Sequence, residues 1–156
     1  MNPPEFLIRT FQPADADAVV QLWNECGLTR PWNDPYKDIA RKLTVQPEMF
    51  LVGTVANTVV AAVMGGYDGH RGWVNYLAVS PTHQRRGYAG ALMQDIEQRL
   101  LAMGCPKINL LVRGSNTAVV SFYEKLAFQQ DDVISLGKRL IPDIAAQQRT
   151  PEASCT

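Results

Sequence analysis

Transition-metal ligands are scarce in this chain. Two histidines, His70 and His83, and three cysteines, Cys26, Cys105 and Cys155, are all that 156 residues supply. The cysteines form no C-x-x-C pair and are odd in number, which suits reduced thiols and a cytoplasmic setting. No metal is expected. No apolar run approaches the about 20 residues that span a bilayer, so no membrane association is expected. The start, Met1-Asn2-Pro3-Pro4-Glu5, lacks a basic n-region and an apolar h-region, so no signal peptide is expected. Excess charge is absent too, because 15 basic and 15 acidic residues cancel. No global field therefore draws nucleic acid or an anionic membrane. Nucleotide loops are likewise missing: there is neither G-x-x-x-x-G-K-[ST] nor G-x-G-x-x-G.

What is present is enough for one domain. The apolar fraction is 46%, ordinary for a globular protein that buries a core. We place this domain at residues 1–142. Residues 143–156 are polar and aperiodic and are expected to fray.

Periodicity predicts alternating strands and helices. Phe6 to Phe11 reads as a strand, and Ala14 to Glu25 as a helix with Val19, Leu22 and Trp23 on one face. Two prolines, Pro31 and Pro35, exclude helix from the stretch that follows. Tyr36 to Leu43 is a second short helix. Phe50 to Val55 and Val59 to Tyr67 form a hairpin around Ala56-Asn57-Thr58. After a glycine-rich turn, Trp73 to Val79 is a strand. Ala89 to Met103 is an amphipathic helix, closed by Gly104 and Pro106. Lys107 to Val112 is a strand, Ala118 to Leu126 a helix capped by Asn116, and Phe128 to Leu140 extended chain.

The most informative stretch lies between Val79 and the long helix: Gln84-Arg85-Arg86-Gly87-Tyr88-Ala89-Gly90. A strand, a glycine turn and a helix N-terminus together make an anion cradle. The first helical N–H groups lack internal partners, and the dipole favours negative charge there. Gly87 and Gly90 remove side chains that would hold a phosphate off the backbone. Arg85 and Arg86 place two mobile cations at the rim.

This loop resembles the Q/R-x-x-G-x-G/A pyrophosphate loop of the GNAT acetyltransferases, with Ala89 as the last small residue. A second segment is similar as well. Val112 to Ala118 followed by Phe122 to Phe128 resembles the family's N-x-x-A…Y-x-x-x-G-F run, with Ala127 where glycine is usual. Both stand in the family's element order, and the resemblance runs from about Phe6 to Leu140. Within the family the chain is similar to RimI-like enzymes. It looks closest to the small bacterial YpeA-like branch, through Arg30 to Pro35, Gly65 to Gly72 and Ser135 to Leu140. The fold class implied is α/β (α+β). It is a mixed, mostly antiparallel sheet with a splayed parallel strand pair at its centre, flanked by four helices.

The resemblance implies acetyl-CoA as co-substrate and an amine acceptor. Leu77, Ala78 and Val79 would offer backbone to the pantetheine arm; a plain core strand is the other reading. Arg85, Arg86, Gly87, Tyr88, Ala89 and Gly90 would hold the pyrophosphate. Asn116 would bind the cofactor arm, or serve only as a helix cap. Tyr123 would be the general acid, or a core aromatic. Trp32, Asn33, Asp34 and Tyr67, in the two unusual loops, would meet the acceptor.

One departure stands out. RimI-like enzymes carry a glutamate base where this chain has Leu111, and Asn75 stands on the strand before the cradle. A general base typically contributes ~10²–10⁴-fold. Asp34, Asp68 and His70 are the candidates to replace it. Asp34 and Asp68 also fit turn roles, and the other reading of His70 is a plain surface residue. The expected activity is N-acetyl transfer to a primary amine, either an N-terminal α-amine or a small-molecule amine, by direct attack in a ternary complex. A non-catalytic acyl-CoA sensor is the alternative. The residues leave oligomeric state open, with a homodimer as the candidate assembly.

Overall fold

A computed structural model describes residues 2–144. Strand β1 is Phe6–Thr10. A 3-10 turn, Pro13–Asp15, leads into helix α1, Ala16–Glu25, and α2 is Pro35–Lys42. Strands β2 (Phe50–Val55), β3 (Thr58–Tyr67) and β4 (Gly72–Val79) follow. Helix α3 spans Tyr88–Ala102, β5 is Ile108–Leu110, and α4 is Thr117–Lys125.

The five strands form one sheet in the order β1-β2-β3-β4-β5. All neighbours are antiparallel except β4 and β5, which run parallel. The β2–β3 turn places Ala56 and Asn57 at φ +49° and +64°. Two left-handed central residues give a turn whose twist matches that of the strands.

Alternation along the central strands sends side chains to two faces. Leu51, Val63 and Val74 meet Leu92, Met93, Ile96 and Leu100 of α3. Phe50, Val52, Ala62, Met64 and Ala78 meet Val19, Val20, Leu22 and Trp23 of α1 and Ile39 of α2. Each of these valines, leucines, isoleucines, methionines and phenylalanines, fully buried, contributes about 1.5–3 kcal/mol. At Gly72 a Cβ would stand 2.9 Å from both Cys105 Sγ and Leu100 Cδ1. Only glycine lets the end of α3 close this tightly on β4. The helix is thereby fixed on the sheet, and so is its N-terminus.

Three expectations are corrected. Pro35 does not exclude helix; it is the first residue of α2, where its missing N–H costs nothing. The extended chain expected from Phe128 to Leu140 forms no strand, because among the described residues nothing pairs with it. The preceding strand is shorter than Lys107–Val112, since its pairing ends at Leu110. Of the tail expected to fray, residues 145–156 lie outside the described residues. Asp143, assigned to that tail, is buried. It accepts from Arg41 at 2.6 Å and from the Asp34 amide at 2.8 Å.

Candidate active site

The sheet opens between β4 and β5. Their parallel pairing runs from Gly72–Ile108 to Val74–Leu110 and stops there. Among the described residues, β4 has no strand neighbour on that side from Asn75 to Val79, while β3 still pairs with Ala78 and Val79 on the other. The register shifts between Ala62 and Met64, and Tyr76 stands at φ +55°. A left-handed aromatic residue inside a strand marks a bulge, a device that re-aims side chains beside functional sites. Ser80 N–H donates to Val60 O at 2.8 Å. By alternation, the backbone groups of Val79 then face the opening.

Sequence reasoning missed two props of that position. Gln84 Nε2 donates to Val79 O at 3.1 Å, and Cys26 Sγ does so at 3.3 Å. They occupy the carbonyl and leave the N–H to the opening. Gln84 was visible as the first motif residue, while Cys26, at the end of α1, carried no signal. Burial pushes the Cys26 thiol above its ordinary value, so it serves as a neutral donor here.

The cradle lies one turn beyond. Arg85 at φ +63° and Gly87 at φ +82° both adopt the left-handed region. Such residues bend successive N–H groups into a concave anion-binding surface. Arg85 accepts a conformation that costs a non-glycine residue about 1–3 kcal/mol, which points to a functional constraint. No side chain caps α3. Its first internal bond is Ala91 N to Gly87 O, at 3.0 Å. The N–H groups of Tyr88, Ala89 and Gly90 precede it and lack helical partners. A Cβ built at Gly87 or Gly90 meets no heavy atom within 4 Å. The space those glycines keep clear is therefore not needed by the protein's own packing. Arg85 and Arg86 are exposed at the rim.

Across the opening, Tyr123 on α4 packs edge-on against Phe128, with ring centroids 5.4 Å apart. It joins the core on the α3 side of the sheet, with Leu77, Ala89 and Leu110. Burial pushes its phenol up to about 12, so it stays protonated at physiological pH. Asn116 is exposed and accepts from Val119 N at 3.3 Å, as a cap of α4. Leu111 directly follows β5 and is 70% exposed.

On the other face of β4, a pocket of about 230 Å³ is lined by Lys42, Gln46, Tyr67, Asp68, Trp73 and Asn75, among others. Asn75 is the first β4 residue past the pairing with β5, so this pocket adjoins the opening. Gln46 holds its rim, donating to Tyr67 O and accepting from Tyr67 N. Lys42 Nζ donates to Gly65 O at 2.6 Å, and burial lowers the pKa of this amine.

Two residues proposed as bases do not suit that role. Asp68 accepts from the His70 and Arg71 amides and from Trp73 Nε1. These bonds hold its pKa at about 2, far too low to take a proton from an amine. His70 is exposed on the same turn, before β4 begins. At about 3.3 Å per residue, Leu77 is roughly 13 Å along the strand from Trp73 alone. Asp34, the third candidate, caps α2 by accepting from the Tyr36 and Lys37 amides.

Trp32, Asn33 and Asp34 do not line the pocket that holds Tyr67. Asn33 Nδ2 instead donates to Asp38 Oδ2 at 2.6 Å and to the Tyr76 hydroxyl at 3.1 Å. The Tyr76 hydroxyl donates to Asp38 Oδ2 at 2.6 Å, and its ring stacks on Trp23 at 3.9 Å. Burial and the Asp38 carboxylate raise the Tyr76 pKa well above its usual value. This network, unseen in the sequence, ties α2 and the loop before it to the bulge.

An open parallel strand pair beside an uncapped, glycine-cleared helix start is a combination that can be compared with known proteins. The model of the Acetyltransferase (GNAT) family matches residues 16–128. The chain belongs to the GNAT family. It is 56% identical over 137 residues to an acetyltransferase of Sodalis glossinidius, covering 87% of this chain and 96% of that one. Among solved structures, the ribosomal-protein-S18-alanine N-acetyltransferase of Escherichia coli shares the fold. Its TM-score is 0.68 at 22% identity, over 81% of this chain and 79% of that one. The NatC complex bound to a Gag peptide and CoA contains a chain of the same fold, with TM-score 0.66 at 20% identity. That match covers 78% of this chain and 83% of the other. The GNAT protein described here is an acetyltransferase, and its family uses acetyl-CoA. Among its described residues no helix is long and apolar enough to cross a membrane.

Proposed function

We propose that this GNAT protein acetylates a low-pKa amine, an N-terminal α-amine or a small-molecule amine of similar basicity. The observation that carries this is Leu111 just past β5, with Asp68 and Asp34 bonded by neighbouring amides and His70 exposed on the turn before β4. Acetyl-CoA supplies the activated acyl group. The cradle suits its pyrophosphate because Gly87 and Gly90 leave room that no protein atom uses. The N–H groups of Tyr88, Ala89 and Gly90 would hold that pyrophosphate, with Arg85 and Arg86 at the rim. Leu77 to Val79 would receive the pantetheine arm, and Asn116 would add its side-chain amide.

The acceptor amine, not a residue of this chain, is the nucleophile. The Val79 N–H, facing the opening, is the donor suited to charge that develops on a carbonyl oxygen. Tyr123, protonated throughout the working range, donates toward the leaving sulfur and cannot act as a base. The pocket lined by Tyr67, Trp73 and Asn75 receives the acceptor, and water in it carries off the amine proton. Asp68 shapes that pocket by holding the Trp73 indole.

Energetics favour an α-amine. A lysine ε-amine has pKa about 10.4 and an α-amine about 8, so their free-base fractions at neutral pH differ by roughly two powers of ten. That is about 3 kcal/mol, comparable to what a general base supplies. The test is a screen of matched α-amino and ε-amino acceptors across pH 6 to 9, read by mass spectrometry. The expected result is α-amine acetylation that rises with pH as the amine loses its proton. Efficient lysine acetylation at pH 7 without α-amine activity would overturn the assignment.

A further inference from the structure

We propose that Lys42 is the anion receptor of the acceptor pocket, and that the preferred acceptor is a peptide with a carboxylate on its second to fourth residue. This rests on the reading that the pocket beside Asn75 receives the acceptor. Lys42 stands in the last turn of α2 and lines that pocket of about 230 Å³ with Gln46, Gly66, Tyr67, Trp73 and Asn75.

Lys42 is a half-buried cation with one partner. An ammonium has three donors. One goes to Gly65 O at 2.6 Å, and among the described residues no carboxylate forms an ion pair with Lys42. Glycine keeps the space over the amine clear. A Cβ built on Gly66 would stand 3.6 Å from Lys42 Nζ and 3.4 Å from Gln46 Oε1, so a longer side chain there would lie against the ammonium. Gln46 does not compete for Lys42, because its amide is taken by the Tyr67 backbone. Taking an ammonium out of water is costly unless an opposite charge replaces the water, and the lowered pKa of this amine records that cost. A bound carboxylate offsets it.

Charge and span narrow the ligand. Lys42 is the one cation of the pocket lining and Asp68 the one carboxylate. The Asp68 oxygens already accept from two amides and the Trp73 indole. One lysine beside a carboxylate suits a single negative charge, not the near-double charge of a phosphate group. Gly65 pairs with Val74, and the stretch assigned to the thioester and its arm, Leu77 to Val79, lies further along β4. At about 3.3 Å per residue, the receptor and the acyl group are roughly 10–16 Å apart. The amine and carboxylate of a single α-amino acid share one carbon and cannot reach both. An extended peptide advances about 3.3–3.6 Å per residue. A glutamate side chain and a contact distance at each end supply the rest, which puts the carboxylate on the second to fourth residue.

The test compares kcat/KM for C-terminally amidated peptides that differ only in Glu against Gln at position 2, 3 or 4. A second set compares a neutral tetrapeptide as free acid and as amide. A preference in the first set assigns the receptor to a side-chain carboxylate, and one in the second set to a terminal carboxylate; either upholds it. A charge-assisted hydrogen bond at a partly exposed site should favour the acid by about tenfold. Lys42→Met, which keeps the aliphatic stem, should bring the ratio near one, and Lys42→Arg should retain it. Gly66→Asp, which sets a carboxylate beside Nζ with Lys42 in place, should abolish it as well. Each ratio is taken within one protein, so loss of folded material cancels, and a merely structural Lys42 would lower both peptides alike. Isothermal titration of the acetylated Glu and Gln peptides, with CoA present, reads the receptor without turnover. A Lys42-dependent preference there, with no α-amine acetylated, would uphold the receptor and overturn the amine reading. Equal acid and neutral peptides in both measurements, or a preference that survives Lys42→Met, would overturn the receptor and leave the amine reading standing.

Discussion

Gly87 is where the cofactor assignment can be separated from stability. Its φ of +82° and the open space over its Cα make two demands. Gly87→Ala meets neither. A left-handed alanine costs about 1–2 kcal/mol in the folded state, which for a domain of this size lowers Tm by roughly 3–8 °C. Gly87→Asn relaxes the first demand, because asparagine tolerates the left-handed region. It keeps the second, since its side chain still enters the cradle. Hydrogen bonds from backbone N–H to a charged group contribute about 1.5–3 kcal/mol each. Displacing the pyrophosphate from even one of the first α3 amides should therefore weaken acetyl-CoA binding about tenfold to a hundredfold. Both variants should show that loss by isothermal titration, whereas only Gly87→Ala should melt several degrees lower by differential scanning fluorimetry. Wild-type affinity in Gly87→Asn would refute the reasoning, because it would mean that nothing binds where the glycine keeps space.

Other expectations follow from the same geometry. Tyr123→Phe should lower kcat with little change in acetyl-CoA affinity, the mark of an interaction made in the transition state, and steady-state kinetics with a titration reads it. Asp68→Asn should change KM for the acceptor while leaving the pH dependence of kcat intact; a vanished acidic limb would return Asp68 to the base role. Asp15 is bonded by Arg9 at 2.7 and 2.9 Å and by the Gln12 amide at 2.8 Å, and these partners lower its pKa. A lowered carboxylate pKa stabilises the fold above the ordinary value of about 3.9, and that contribution is lost as pH falls through the native value. With Arg9 partly exposed, Asp15→Asn should cost about 1 kcal/mol at pH 7, and melts of the two proteins should converge as pH falls below the ordinary carboxylate range.

Local signals carried most of this architecture. The apolar stripe of α3 and the alternation of β2, β3 and β4 predict their elements to within a residue or two, because both faces of the sheet are covered and each side chain has one place to go. The cradle was legible because it is built from backbone, which Gly87 and Gly90 mark directly. Misreadings arose where a residue's partner is distant in sequence. Asp68 and Asp34 are not of that kind: the turn roles that their sequence also allowed are the ones formed, with amides two and three residues on donating to each. Asp143 looks like tail, yet Arg41 lies 102 residues away and claims it. The Tyr76–Asp38–Asn33 network and the Cys26 prop on Val79 join α1, α2 and β4, and no periodicity records such crossings. Phe128 to Leu140 reads as extended chain because its apolar composition favours one, but among the described residues no neighbouring strand pairs with it.

The central claim is that the β4–β5 opening and the α3 cradle serve acetyl transfer to an amine without a carboxylate base. The most direct measurement incubates the protein with acetyl-CoA and an unblocked peptide, and follows released CoA thiol together with peptide mass. The account predicts one acetyl group on the peptide α-amine for each thiol released, with the rate rising from pH 6 to 9 as the amine deprotonates. Tight acetyl-CoA binding with no thiol release for any amine across that range would contradict it.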